Sequence, residues 1–254
     1  MSDPQMQRLK DLLYADQSLR DGLMSVMVFA PELKRVLDAL DRGEHQEALW
    51  QVNEMAGAST SRTGVPLLLA HVRSTCGDRA GAIEALKDFL ATVQGSSRST
   101  LQTWHRLRDL GVRPPRELAD EVLGVIVEIA FPEGPDTVAA YADGSSRFFS
   151  RKGGAILGED PRPEVLETAR RVASRASAFV KATRRVKRTG APRRAPEPGT
   201  VRFTLLTPSG QRVAVSSKDA LRNGKDGLQP LFEPVAELIA LKVEGARRPD
   251  DRAT

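Results

Sequence analysis

GEHQEAL (residues 43–49) and GDRAGAI (residues 77–83) carry one small pattern 34 residues apart: a glycine, an alanine five positions later, and an apolar residue after it. A fixed period of this size marks stacked helix pairs, because one pair cannot bury its apolar face alone and needs a neighbour. Outward from these turns, apolar residues keep helical spacing from Pro4 to about Leu123, without the alternation of a strand. Leu9, Leu12, Leu13 and Leu19 outline a first helix, and Val26 to Phe29 extends its apolar surface. Pro31 suits a first helical turn, and Leu33, Val36, Leu37 and Leu40 follow it up to Gly43. Glu47, Ala48, Leu49, Val52 and Met55 form the partner helix, closed by Gly57. A second pair runs from Pro66 to Val72, breaks at Gly77 and resumes from Ala80 to Leu90.

These residues resemble the tetratricopeptide repeat over about residues 32–93. The resemblance rests on Gly43 and Gly77 at the turns, on Ala48 and Ala82 where the two helices approach closely, and on Val52, Met55, Leu86 and Phe89 later in the second helices. Two features depart from that pattern. Ala39 and Arg73 stand where the family has a large aromatic residue, and the proline that closes each unit is missing. Arrays of this kind need about three units, so Pro4 to Phe29 and the helix around Leu101 to Leu110 are expected to act as atypical caps. Gly111 lies a further 34 residues on, but Arg116 replaces the alanine, and the match reads as coincidence. Two unrelated hairpins joined by glycine turns would give the same letters; either arrangement is all helical.

Around Gly124 the period changes. Val125, Val127 and Ile129 alternate with Ile126 and Glu128 in a strand stopped by Pro132. Thr137 to Ala142 and Arg147 to Ser150 follow, separated by Asp143 and Gly144, a pair that signals a tight hairpin with positive φ at its centre. Ala155 to Leu157 is too short to count as a strand. A second hairpin joins Val201 to Thr207 with Arg212 to Val215 through Pro208, Ser209 and Gly210. One helix opens at Pro163 with Leu166, Ala169, Val172, Ala176, Phe179 and Val180 on one face. Another runs from about Leu231 to Val243, with Pro234 in its first turn.

The expected fold is therefore α+β: an all-helical module over residues 1–114, then an antiparallel sheet of order βββαββα over residues 116–245, covered by two helices. A basic Pro/Ala-rich loop is expected at 184–199 and a disordered tail at 246–254. The segments VLGVIVEIA (122–130), AAYADGSSRF (139–148) and LLTPSG (205–210) resemble an uncharacterised group of bacterial proteins, which implies one domain and no function. Sheet-and-helix modules of this sort, including the roadblock and profilin types, often bind proteins, an analogy at the level of fold alone.

Composition limits the function classes. The 254 residues are 40% hydrophobic and 28% charged, as in a globular protein. The single cysteine, Cys76, excludes an internal disulfide and a cysteine-built zinc site, and points to a reducing compartment. Asp3, Asp11 and Asp16 interrupt any secretory signal, and the apolar run Leu23 to Ala30 is too short to cross a bilayer. The expected location is cytoplasmic. Ten basic and no acidic residues lie between Arg170 and Arg194; removing them from the formal net charge of +5 leaves the rest of the chain at −5. A slightly acidic body thus carries one positive segment.

No cluster demands catalysis. His45, His71 and His105 are widely separated, whereas a metal needs three or four converging ligands. Cys76 lacks an evident base. Gly153 and Gly154 follow Arg151 and Lys152 without nucleotide-loop spacing. Ser209 sits in a hairpin turn, not a hydrolase elbow. Glu159 and Asp160 are adjacent in sequence and point apart, which suits the start of a helix. Neither enzymatic activity nor a cofactor is expected.

The expectation is an adaptor or regulatory protein that binds a protein partner on the concave helical surface. Trp50, Gln51, Asn53, Glu54 and Arg73 are its candidate contacts. Trp50 and Trp104 each either anchor a partner or fill a seam between helices. The alternative is a nucleic-acid-associated protein whose arm over residues 170–194 makes non-specific phosphate contacts. Arg184, Arg185, Lys187, Arg188, Arg193 and Arg194 are its candidate anion-binding residues. The one aromatic residue of the arm, Phe179, belongs to the apolar face of its helix, so no ring is left for base stacking and sequence-specific recognition is not expected.

Overall fold

A computed structural model describes residues 9, 11–16, 31–58, 65–92, 96–157, 160–182, 187–189 and 194–246. The chain divides into two compact units. One is Ala15–Arg113; the other joins Met1–Tyr14 to Pro114–Thr254.

The first unit is helical: α1 (Pro31–Asp41), α2 (His45–Ala58), α3 (Val65–Thr75), α4 (Arg79–Thr92) and α5 (Ser97–Asp109). Three of its turns share one device. Gly43, Gly77 and Gly111 hold φ at +76°, +85° and +76°, a conformation that a side chain would strain by about 1–2 kcal/mol. In each, two successive N–H groups reach back to carbonyls left open at the helix end. Gly43 and Glu44 donate to Leu40 and Ala39 at 3.0 and 2.9 Å; Gly77 and Asp78 donate to Ser74 and Arg73 at 3.2 and 2.8 Å; Gly111 and Val112 donate to Arg108 and Leu107, both at 2.8 Å.

Gly111 therefore ends its helix with the same turn as Gly43 and Gly77. The glycine alone sets the stop of a first helix; the alanine matters only to a second helix. After Gly111 no long second helix forms. The chain passes Pro114 and Pro115 into the four-residue α6 (Arg116–Ala119).

Ala48 and Ala82 are both fully buried. Ala48 shares a core with Leu33, Val36, Leu37, Val52 and Leu68. A second core joins Ala70, Ala85, Leu86, Trp104 and Leu107. Of the expected cap at Pro4 to Phe29, the described part includes a 3-10 turn, Leu12–Tyr14, and Tyr141 Oη of the sheet unit donates to Leu13 O at 2.7 Å.

Among the described residues the second unit holds seven strands in the order β4-β3-β2-β1-β6-β7-β5, antiparallel throughout. They are β1 (Gly124–Phe131), β2 (Gly134–Tyr141), β3 (Ser146–Phe149), β4 (Ala155–Ile156), β5 (Lys187–Thr189), β6 (Thr200–Thr207) and β7 (Gly210–Ser217). Besides α6, its described helices are α7 (Pro163–Ala182), the short α8 (Lys218–Arg222) and α9 (Gln229–Ala246). The α+β order is the one expected from the sequence, with two short edge strands added.

Ala155 and Ile156 do pair with β3. Lys187–Thr189 pairs with Gln211 to Val213, which corrects the reading of 184–199 as all loop. The outer edge of β7 offers unpaired backbone groups, and antiparallel pairing satisfies them whatever charges the segment carries. The Asp143–Gly144 turn is longer than a two-residue hairpin, and of the two only Gly144 takes positive φ, at +96°. Residues 247–254 of the expected tail lie outside the described residues.

Val125, Val127, Val138, Phe203 and Leu205 face α7 and α9, packing on Val165, Val172, Leu231, Val235 and Leu238. Phe203 and Phe232 meet edge to face at 6.4 Å. α9 starts two residues earlier than expected, so Pro234 is its sixth residue and the carbonyl of Pro230 loses its helical donor. Arg175 Nη1 of α7 donates to that carbonyl at 2.7 Å.

The close approach through Ala48 and Ala82 makes a direct expectation. Ala48→Leu forces methylenes into a filled seam and should destabilise the helical unit by about 1–3 kcal/mol, read as a lowered midpoint in urea unfolding followed by helical circular dichroism. An unchanged midpoint would show that the seam has room.

Candidate functional site

α2 buries one face and leaves the other in water. Ala48 and Val52 are fully buried, while Gln46, Glu47, Trp50, Asn53, Glu54 and Gly57 are exposed. Trp50 is 61% exposed, whereas Trp104 is 9% exposed and belongs to the helix seam. Trp104 thus fills a seam between helices, and Trp50 does not. Glu47 accepts a hydrogen bond from Gln51 Nε2 at 2.6 Å. Trp50, Asn53 and Glu54 lie together, and Gln51 stands half-buried at the edge of their face.

Arg73 lies apart from them, on α3, where its guanidinium donates to Gly81 O at 3.0 Å and ties the turn into α4. α1 and α3 pack on each other as well as on α2, but no comparable packing joins α2 to α4. Ala48 and Val52 turn α2 toward α1 and α3, and Trp50 stands on its opposite, exposed face.

Asp78 Oδ1 caps α4 by accepting from Gly81 N at 2.8 Å. Cys76 sits beside this turn, with Sγ 3.9 Å from His45 O. Burial, then Asp78, raises its thiol pKa, which opposes the thiolate a nucleophile requires. His105 is lowered by burial ahead of all charges around it. Among the described residues no group of three or more His, Cys, Asp or Glu could hold a metal ion. Ser209 remains in its hairpin turn, its Oγ 3.0 Å from Thr207 Oγ1. Gly153 and Gly154 lie in the β3–β4 loop.

The sheet unit contains two buried charge clusters that sequence reasoning missed. Glu128 of β1 and Arg202 of β6 are register partners, on the face away from α7 and α9. Arg202 Nε and Nη2 lie 2.7 and 2.5 Å from Glu128 Oε2, and Arg202 Nη1 donates to Arg194 O at 2.7 Å. Tyr14 Oη reaches the same carboxylate at 3.4 Å. Burial first, then the charge of Glu128, pushes the Tyr14 phenol well above its ordinary pKa. A lone Glu in the branched run 125–129 was the available signal.

The second cluster surrounds Lys242 of α9, whose side chain is wholly buried. Its Nζ lies 3.7 Å from Asp160 Oδ2. Arg162 binds both oxygens of Asp160, at 2.9 and 2.8 Å, and donates to Leu241 O at 2.9 Å. Gly245 makes room for that guanidinium; a Cβ there would collide with Arg162 Nη2. Asp160 thus ties the approach to α7 onto the end of α9, and Glu159 lies outside the described residues. The signal was Lys242 falling on the apolar stripe of Leu231, Val235 and Leu238.

The expected basic arm begins on α7, and its first members are already engaged. Arg171 pairs with Glu237 at 2.5 Å, Arg175 with Glu233 at 2.8 Å, and Arg170 donates to Asp143 O at 3.2 Å. Lys187 and Arg188 lie in β5, and Arg194 is exposed. Arg184, Arg185 and Arg193 lie outside the described residues. No helix among the described residues is long and apolar enough to cross a membrane.

Comparison with protein families, with curated proteins and with solved structures returns no match to this chain.

Burial, ahead of the opposing effect of Asp160, lowers the Lys242 pKa. Between that lowered value and the ordinary lysine value near 10.4, the unfolded chain binds more protons than the folded one, so stability rises with pH through that window. Lys242→Met keeps the volume and removes the ionisation. It should unfold at least as late in urea as the parent near pH 7 and lose the alkaline rise. A lowered midpoint near neutral pH would show instead that the ammonium is needed by Asp160.

Proposed function

We propose that this chain is a cytoplasmic adaptor or regulatory protein, with a tetratricopeptide-like helical module that docks a protein partner. The observation that carries the reading is Trp50. It is the largest exposed apolar side chain among the described residues, on a helix otherwise well packed. An aromatic ring of this size costs free energy in water and is the residue type most enriched at binding hot spots. The outer face of α2 is the docking surface in this reading, with Asn53 and Glu54 beside the ring and Gln51 at the rim. Arg73 supports the turn behind it. The lone cysteine suits a reducing cytoplasm.

The phosphate-binding alternative is weaker, since Arg171 and Arg175 are paired to acidic residues of α9. Lys181 at the end of α7 and the basic residues beyond that helix remain for it.

The tagged full chain should retain a partner from an extract of its native host, and Trp50→Ala should release it while the helical circular dichroism and thermal midpoint stay unchanged. Retention of the same proteins by both forms would remove the α2 face from the function.

A further inference from the structure

We infer that the exposed face of α2 takes a cationic segment of the partner protein, which sets an arginine or lysine on the indole of Trp50 and pairs with Glu47 and Glu54. This rests on the docking reading and supplies the chemistry of what docks.

At about 100° per residue, Gln46, Glu47, Trp50, Asn53, Glu54 and Gly57 fall in one arc of roughly 120° with the indole near its centre. All six are exposed. The arc holds a carboxylate three residues before Trp50 and another four residues after it, the spacings that share one helix face. α2 contains neither lysine nor arginine. Gln51, the hydrogen-bond partner of Glu47, is neutral, and among the described residues Arg42 is a cation whose charge reaches Glu47. Arg42, the nearest cation in sequence, is held by both oxygens of Glu44 at 2.9 and 2.6 Å. The far end of the arc is open at Gly57, where a Cβ would meet nothing within 4 Å.

These features select among partners. An acidic segment meets two like charges. A purely apolar segment would strip water from both carboxylates without replacing it. A guanidinium or ammonium is attracted by the ring face, for which indole is the best aromatic surface, and finds a carboxylate on either side. The chain outside residues 170–194 sums to −5, so the variants at Trp50, Glu47 and Glu54, rather than binding alone, assign a basic segment to this arc.

Fluorescence anisotropy of a labelled, alanine-based helical peptide with several arginines on one face, titrated with the full chain, tests the inference. Saturable binding is expected, weakened at least about tenfold by Trp50→Ala and by the pair Glu47→Gln with Glu54→Gln, and lost when citrulline replaces arginine. All three positions are exposed, and unchanged circular dichroism would confirm that the variants fold. Equal binding of the citrulline peptide, indifference to the glutamine pair, or no saturable binding overturns the inference. A native partner that is retained through Trp50 but not displaced by the arginine peptide also overturns it and leaves the docking reading intact. Retention independent of Trp50 overturns that reading itself. Sedimentation of the chain alone adds one further outcome: a dimer that dissociates on Trp50→Ala would assign the face to a second copy and overturn the inference of a separate cationic partner.

Discussion

The sheet unit depends on β1 being enclosed on every side. β2 and β6 bond its two edges, and residues of both its faces are buried, Val125 and Val127 on one, Ile126 and Glu128 on the other. A strand so placed needs cover on both faces. α7 and α9 supply one layer. On the other, Tyr141 and Glu128 bind the amino-terminal turn through Leu13 O and Tyr14 Oη. A carboxylate in that position is tolerable only with a partner, and Arg202 stands directly across the ladder to provide it. The helical unit is then a second, separate solution to the same requirement, in which each hairpin is enclosed by the next.

The parts of the fold that could be read from sequence are those governed by local rules. Glycine in the left-handed region stops a helix wherever it falls, so Gly43 and Gly77 marked real turns. Gly111 did as well, although the neighbouring residues no longer matched. The alternation of 125–129 and the turn at 208–210 gave strands because side-chain direction there is fixed by a period of two. Edge strands could not be found in this way. Ala155–Ile156 and Lys187–Thr189 are held by the backbone groups of a neighbour, which leave no pattern in the segment itself. The start of α9 was misplaced for a related reason: Pro234 is tolerated deep in the helix because Arg175, distant in sequence, occupies the carbonyl it leaves open.

The candidate surface was legible only in part. Trp50 could be named from composition, yet its exposure follows from which way α2 rolls against α1 and α3, a tertiary fact. Arg73, of equal standing in sequence, proved to support a turn. The charged residues of α7 looked like the beginning of a free basic arm, and pairing with Glu233 and Glu237 gives them another purpose. Conversely, Lys242 and Glu128 gave a faint signal as single polar residues on apolar stripes, since nothing local shows that Asp160, Arg162 or Arg202 will arrive beside them.

The chain order of the two units has one further implication. Ala15–Arg113 is inserted within the sequence of the other unit, which recruits Leu13 and Tyr14 from ahead of it. Severing the peptide bond between Arg113 and Pro114 would therefore not liberate two independent proteins. The shorter fragment would stay moored by its own leading turn, lodged against Tyr141 and Glu128, and the nicked molecule would migrate as a single particle until denatured.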